Sequence, residues 1–153
     1  MTRLATIAAL LKSQSTLALA TRAADGWPRV TPLFYLSRDD LRIFWFSSAA
    51  SEHSKTLRKN PVAAVAVYRP TERWREIRGV QMRGTVAVVA DPAERRAIAE
   101  AYAARFGLGK LLQAGMACSS LYAFDPSWIR YIDNSRRLGY RFEVRMASSG
   151  MPD

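Results

Sequence analysis

Between residues 47 and 55 the chain sets Ser47, Ser48, Ser51 and Ser54 beside His53 and Lys55. Hydroxyls and a lysine at the start of a short helix suit a phosphate-sized anion. The hydroxyls offer hydrogen bonds, the ammonium adds a charge-assisted one, and a helix beginning near Ser51 or Glu52 aims its unpaired N–H groups at the same place. A helix terminus favours an anion by about 0.3–1 kcal/mol at an exposed site. The same residues also fit an ordinary serine-capped connecting helix closed by Asn60-Pro61.

Other reactive chemistry is sparse. His53 is the only histidine and Cys118 the only cysteine, so neither a Ser-His-Asp set nor a metal site can be assembled, and no catalytic residue is assigned. Cys118 lies in AGMACSSLYAF with no basic neighbour to lower its pKa, and is expected to be a small buried hydrophobe. One cysteine excludes an intramolecular disulfide and suits a reducing compartment. Asp133 and Asn134 invite a catalytic reading, but an Asx pair before the last strand more simply forms a turn. Trp45 and Trp74 are expected to be core or interface aromatics.

These residues must be positioned mainly by short strands. Segment 16–23 (TLALATRA) alternates larger and small residues, and AADGW supplies an Asp-Gly turn into a strand at 29–37. The polar turn RDD leads to a strand at 41–46, completing an antiparallel meander. After the helix at 51–60, the near-continuous apolar run PVAAVAVY at 61–68 predicts burial on both faces. A strand at 77–89 carries Gly79 and Gly84 as bends. Asp91-Pro92-Ala93-Glu94 is a helix start, and Ile98, Tyr102 and Phe106 form one stripe packed on the sheet. Further strands follow at 119–124, 128–132 and 140–146, leaving 147–153 as a loose tail. Six or more short strands with helices at ends and corners predict a small, mainly β barrel with accessory helices, as one domain over 1–146.

At 153 residues and 49% hydrophobic, the chain can bury a full core without disulfide or metal staples. Its N-terminus places Leu4, Ile7, Ala8 and Leu11 at helical spacing, with Lys12 breaking the apolar run, which predicts an amphipathic surface helix and not a signal peptide. No apolar stretch approaches the roughly 18 residues needed to cross a bilayer, and a cytoplasmic location is expected. The 23 basic and 13 acidic residues give a formal charge of +10, but the arginines are scattered and no nucleic-acid-binding motif is present. A basic surface that draws anionic metabolites is expected over one that binds nucleic acid.

The order LALATRAADGWPRVTPLFY, LRIFWFSS, SEHSKTLRKNP and RGVQMRG, with AEAYAARFG and IRYIDNS after it, resembles the FMN-binding split-barrel family of pyridoxamine 5′-phosphate oxidase, and within it a bacterial branch. The resemblance runs from Ser15 to about Met146 and rests on order and spacing, not on one motif. It implies a homodimer of six-stranded antiparallel split barrels with two flavins in clefts at the subunit interface, FMN carrying the redox chemistry of an oxidoreductase. Haem or a deazaflavin is the alternative cofactor on this fold, with His53 as first candidate haem ligand. A cofactor-free basic dimeric binding protein is the remaining possibility.

Residue by residue, the resemblance implies that Arg29, Val30, Thr31 and Pro32 edge the flavin ring with their backbone. Ser47 and Ser48 lie beside the ring and ribityl chain. His53, Ser54 and Lys55 form the phosphate turn, where many relatives carry an arginine at the position of His53 or Ser54. Gln81 reaches a flavin from the partner subunit. The best-known member of the family holds its pyridoxyl substrate with a C-terminal tryptophan and an arginine-histidine segment. Here the chain instead reads IRYIDNSRRLGYRFEVRM, so pyridoxamine phosphate oxidation itself is not implied.

Overall fold

Alternation of large and small side chains organises the sheet. In a computed structural model, which describes residues 1–147, strand β1 (Thr16–Arg22) buries Leu17, Leu19 and Thr21 and leaves Ala18 and Ala20 half-buried on the opposite face. The tail expected at 147–153 falls, from residue 148 on, outside the described residues. Strand β2 (Pro28–Phe34) returns beside β1 from the Asp-Gly turn, where Gly26 adopts φ 83°, the left-handed region that glycine enters freely.

The single strand expected at 29–37 breaks at Tyr35, after which Leu36–Ser37 (β3) pairs with Ile43–Ser47 (β4). Tyr35 turns inward, 2% exposed, and its hydroxyl donates to the Leu11 carbonyl (2.5 Å) of helix α1 (Arg3–Ser13). That helix plugs the barrel with Ile7, Leu10 and Leu11. Leu4, expected on the same face, stays 45% exposed.

Helix α2 (Glu52–Lys59) connects β4 to β5 (Val62–Tyr68). Here burial on both faces is not what the apolar run produces: Ala63, Val65 and Val67 are buried, Ala64 and Ala66 are half-buried, and Val62 and Tyr68 are 59% and 62% exposed. The run looks uniform only because its outer positions are alanines, set opposite the alanines of β1.

Strand β6 (Arg78–Val88) pairs with β5 and, over its whole length, with β7 (Ser120–Asp133). The two strands expected at 119–124 and 128–132 are this one strand. Pro126, which cannot donate to a ladder, is accommodated by a register shift opposite Arg83 and Gly84. The other edge of β7 changes partner at the same point, from β4 on its first half to β8 (Arg141–Arg145) on its second. An eight-stranded antiparallel sheet in the order β2-β1-β5-β6-β7-β4-β3, with β8 on β7, therefore opens into two lobes and makes a split, barrel-like fold.

Helix α3 (Pro92–Phe106) begins as its sequence predicts: Asp91 caps the Glu94 N–H at 3.0 Å. Ile98 and Tyr102 pack inward, and Phe106 packs against Tyr102. Helix α4 (Lys110–Ala117), unforeseen in the sequence, buries no residue, and Cys118 at its end is exposed, not buried as expected. Trp45 is fully buried and stacked on Tyr122, while Trp74 is 53% exposed. The β7–β8 connection is an Asx turn, as expected: Asp133 accepts from the Ser135 N–H and Asn134 from the Gly139 N–H. No helix among the described residues is long and apolar enough to cross a membrane.

Candidate functional site

The β4–α2 turn is built as its serines suggest, but most of the hydroxyls serve the turn itself. Ser51 caps α2, accepting from the Ser54 N–H (3.3 Å) and donating to Ser54 Oγ (2.7 Å), and Ser54 is fully buried. His53 Nε2 lies 2.8 Å from Ser47 Oγ and 3.2 Å from Ser51 Oγ. Ser48, exposed, accepts from the Ala50 N–H at 3.2 Å. This network fixes where α2 starts and therefore where its next turn points.

Burial pushes the His53 imidazole below its ordinary pKa, so folding favours the neutral ring. The unfolded chain binds the extra proton first as pH falls, and this contribution to stability is complete above about pH 6.5 and fades as pH drops through the folded value. His53→Gln is expected to flatten the loss of stability as pH falls below about 6.5, measured by urea unfolding at a series of pH values. An unchanged pH slope would show that the ring titrates freely.

One turn into α2, the side bearing Lys55, Thr56 and Lys59 faces the β1–β2 hairpin across a cleft of about 650 Å³. Arg22 and Arg29 line the opposite wall, with Asp25 at the turn and Glu52 at the mouth, so four basic side chains face two acidic ones. Glu52 bridges the two walls. Its Oε2 is 3.2 Å from Arg29 Nη1 and its Oε1 is 3.6 Å from Lys55 Nζ, while Asp25 lies 3.6 Å from Arg29. Arg22, Thr56, Lys59 and Asn60 were not foreseen here. The i, i+4 spacing of Lys55 and Lys59, and the pairing of Thr21 with Arg29 across the hairpin, were the available signals.

Strand register sorts the remaining candidates by face. Arg29 and Thr31 oppose the inward Thr21 and Leu19, whereas Val30 and Pro32 oppose Ala20 and Ala18 on the outer face. Gln81 opposes Ala66 and Arg130 and shares that outer face, three strand spacings from β2, about 14 Å at the usual separation. One chain therefore brings Arg29 and Lys55 together and holds Gln81 apart from them. Among the described residues β2 ends the sheet order, so one edge of the 29–32 backbone has no strand partner there. Among the described residues no group of three or more His, Cys, Asp and Glu side chains could hold a metal.

A family model described as pyridoxamine 5′-phosphate oxidase matches residues 4–133. A comparison with curated proteins finds no match. Among solved structures, a conserved hypothetical protein of Mycobacterium tuberculosis superposes with a TM-score of 0.78 at 22% identity, covering 98% of this chain and 93% of that one. HutZ, the haem storage protein of Vibrio cholerae, gives 0.67 at 19% identity over 80% and 88% of the two chains. A candidate pyridoxamine 5′-phosphate oxidase of Listeria innocua gives 0.69 at 16% over 85% and 98%. At these identities the likeness to the solved structures is one of fold.

Proposed function

The chain belongs to the pyridoxamine 5′-phosphate oxidase family, and from that premise we propose that it binds FMN and acts as a homodimeric flavin-dependent oxidoreductase on a small-molecule substrate. The observation that carries this reading is the cationic cleft in which Arg29 and Lys55 converge on one carboxylate, Glu52. A phosphate monoester can take the place of that carboxylate between the same two cations, with Arg22 and Lys59 adding charge at the walls. The open edge of β2 lies beside the cleft and offers backbone groups to the polar rim of a planar ring. When bound, FMN supplies a ring that accepts and returns a hydride.

The protein's part is to fix that ring, shape the electrostatics and exclude water. Gln81 lies on the outer face with Ala18, Ala20, Ala64 and Ala66. Small residues there allow close approach of a second sheet, and Phe34, Val62 and Tyr68 are 59%, 59% and 62% exposed around it. Held three strands from β2 in its own chain, Gln81 could meet a flavin only from a second copy. His53 Nε2 is already held by Ser47 and Ser51, which favours a flavin over a haem that would need to draw the ring from both hydroxyls.

The test is the visible spectrum of the purified protein, recorded again after adding FMN and removing the excess by gel filtration. A flavin spectrum retained at about one per subunit is the expected result. A haem band in its place, or a flavin that washes out, would overturn the assignment.

A further inference from the structure

A second concavity, of about 880 Å³, lies between α1 and the ends of β6 and β7. It is at the other end of the sheet from the Arg29–Lys55 cleft. Arg22 ends β1 near the start of the antiparallel β5, whereas Arg69 follows the end of β5, seven residues or about 23 Å along the strand. Asp133 lines the cavity and is 3% exposed. Its Oδ1 accepts from the Ser135 N–H (3.0 Å) and hydroxyl (2.5 Å), and its Oδ2 from the Tyr131 hydroxyl (3.3 Å). Arg78 Nε and Arg136 Nε lie 3.2 and 3.7 Å from Oδ2. Burial pushes the Asp133 carboxyl up, but the bonds from Ser135 and the charge of Arg78 more than offset it and hold the group below its usual range.

One ionised carboxylate thus fixes two guanidinium groups without neutralising the cavity. Among the described residues, Arg69, Arg78 and Arg136 line it against a single acid. Arg69 is tied beside Arg78 by its backbone N–H (3.0 Å to the Arg78 carbonyl), and among the described residues the one acid in the lining is the Asp133 already shared by the other two arginines. Arg78 is held by both sides of the turn, its Nε 3.2 Å from Asp133 Oδ2 and its Nη2 donating to Ser135 Oγ at 3.0 Å. The remaining N–H groups of the Arg78 guanidinium, whose side chain is about one-third exposed, can donate to an oxyanion in the cavity.

We propose that this cavity binds a small organic anion, its carboxylate or phosphate head gripped by Arg69, Arg78 and Arg136 and its body covered by Ala9 and Leu10 of α1. Arginine is suited to this because its planar fork matches an oxyanion in pairs of parallel bonds. The site is independent of the flavin reading, being built from other residues at the other end of the sheet.

The experiment is an NMR titration of the full chain with inorganic phosphate and, separately, succinate, at constant ionic strength. Saturable shifts of the Arg78, Ser135 and Arg136 amides with either probe are expected, and the probe that binds tells a phosphate head from a carboxylate. Arg69→Gln should weaken that binding at least about tenfold, as loss of a charge-assisted contact does, while Lys55→Ala leaves it unchanged. No shift with either probe would overturn the proposal. So would shifts confined to the surroundings of Lys55, or binding unaltered in both Arg69→Gln and the solvent-exposed variant Arg136→Gln.

Discussion

Lys55→Ala is expected to weaken FMN binding by about 1.5–3 kcal/mol, roughly 10- to 150-fold in Kd, because it deletes one of the two cations that converge at the cleft. Fluorescence quenching of FMN on titration with protein measures it directly. The fold should be almost indifferent: the ion pair of Lys55 with Glu52 is solvent-exposed, and such pairs contribute about 0–1 kcal/mol. Glu52→Gln is the informative companion. Its carboxylate competes for the same two cations, so removing that charge should tighten FMN several-fold where Lys55→Ala loosens it. Opposite signs from neighbouring residues on one helix are hard to obtain from general damage. If Lys55→Ala leaves Kd unchanged, the phosphate does not sit at this cleft.

The start of α2 was legible because capping is local chemistry: Ser51 precedes a short polar helix, and Asn60-Pro61 ends it. The use of its hydroxyls was not. Whether a serine faces a ligand or its own turn depends on which neighbouring groups remain unpaired, and Ser54 is consumed by Ser51. Gln81 could be placed on the outer face by alternation alone, since Val80 and Met82 on either side are buried core residues. The meeting of Arg22, Arg29 and Lys55 at one cleft is tertiary, set by how the β1–β2 hairpin packs beside α2. Helix α4 gave no signal because Gly109 at its N-cap has no side chain to cap with and no residue of the helix is buried. In β7 the expected strands end at 124 and resume at 128, on either side of Pro126. Only the ladder with β6 shows that a bulge absorbs it.

That bulge is where the largest loss of stability is expected. Gly84→Ala should cost about 3 kcal/mol or more, a fall of roughly 6–12 °C in Tm for a chain of this size. A Cβ at Gly84 would lie 2.0 Å from the Asp125 carbonyl oxygen and 3.0 Å from Phe124 Cζ. The first of these is backbone, and it belongs to the strand paired on both edges, to β6 on one side and β4 on the other. Neither strand can move aside without giving up ladder hydrogen bonds, so the clash cannot be relieved by a rotamer change. Gly26→Ala provides the contrast. That position is strained for any side chain by its φ of 83°, but nothing lies within 4 Å of an added Cβ, and a loss of about 1–2 kcal/mol is expected. Thermal unfolding of both variants separates close approach from backbone preference. Equal losses, or a Gly84→Ala loss below about 1 kcal/mol, would show that the two strands do not meet as closely as described. Because β4 hangs on the first half of β7 and leads directly into the α2 turn, a shift of β7 at Gly84 would also displace Lys55. Weakened FMN binding should therefore accompany the lost stability in Gly84→Ala and be absent from any equally destabilising change in α4.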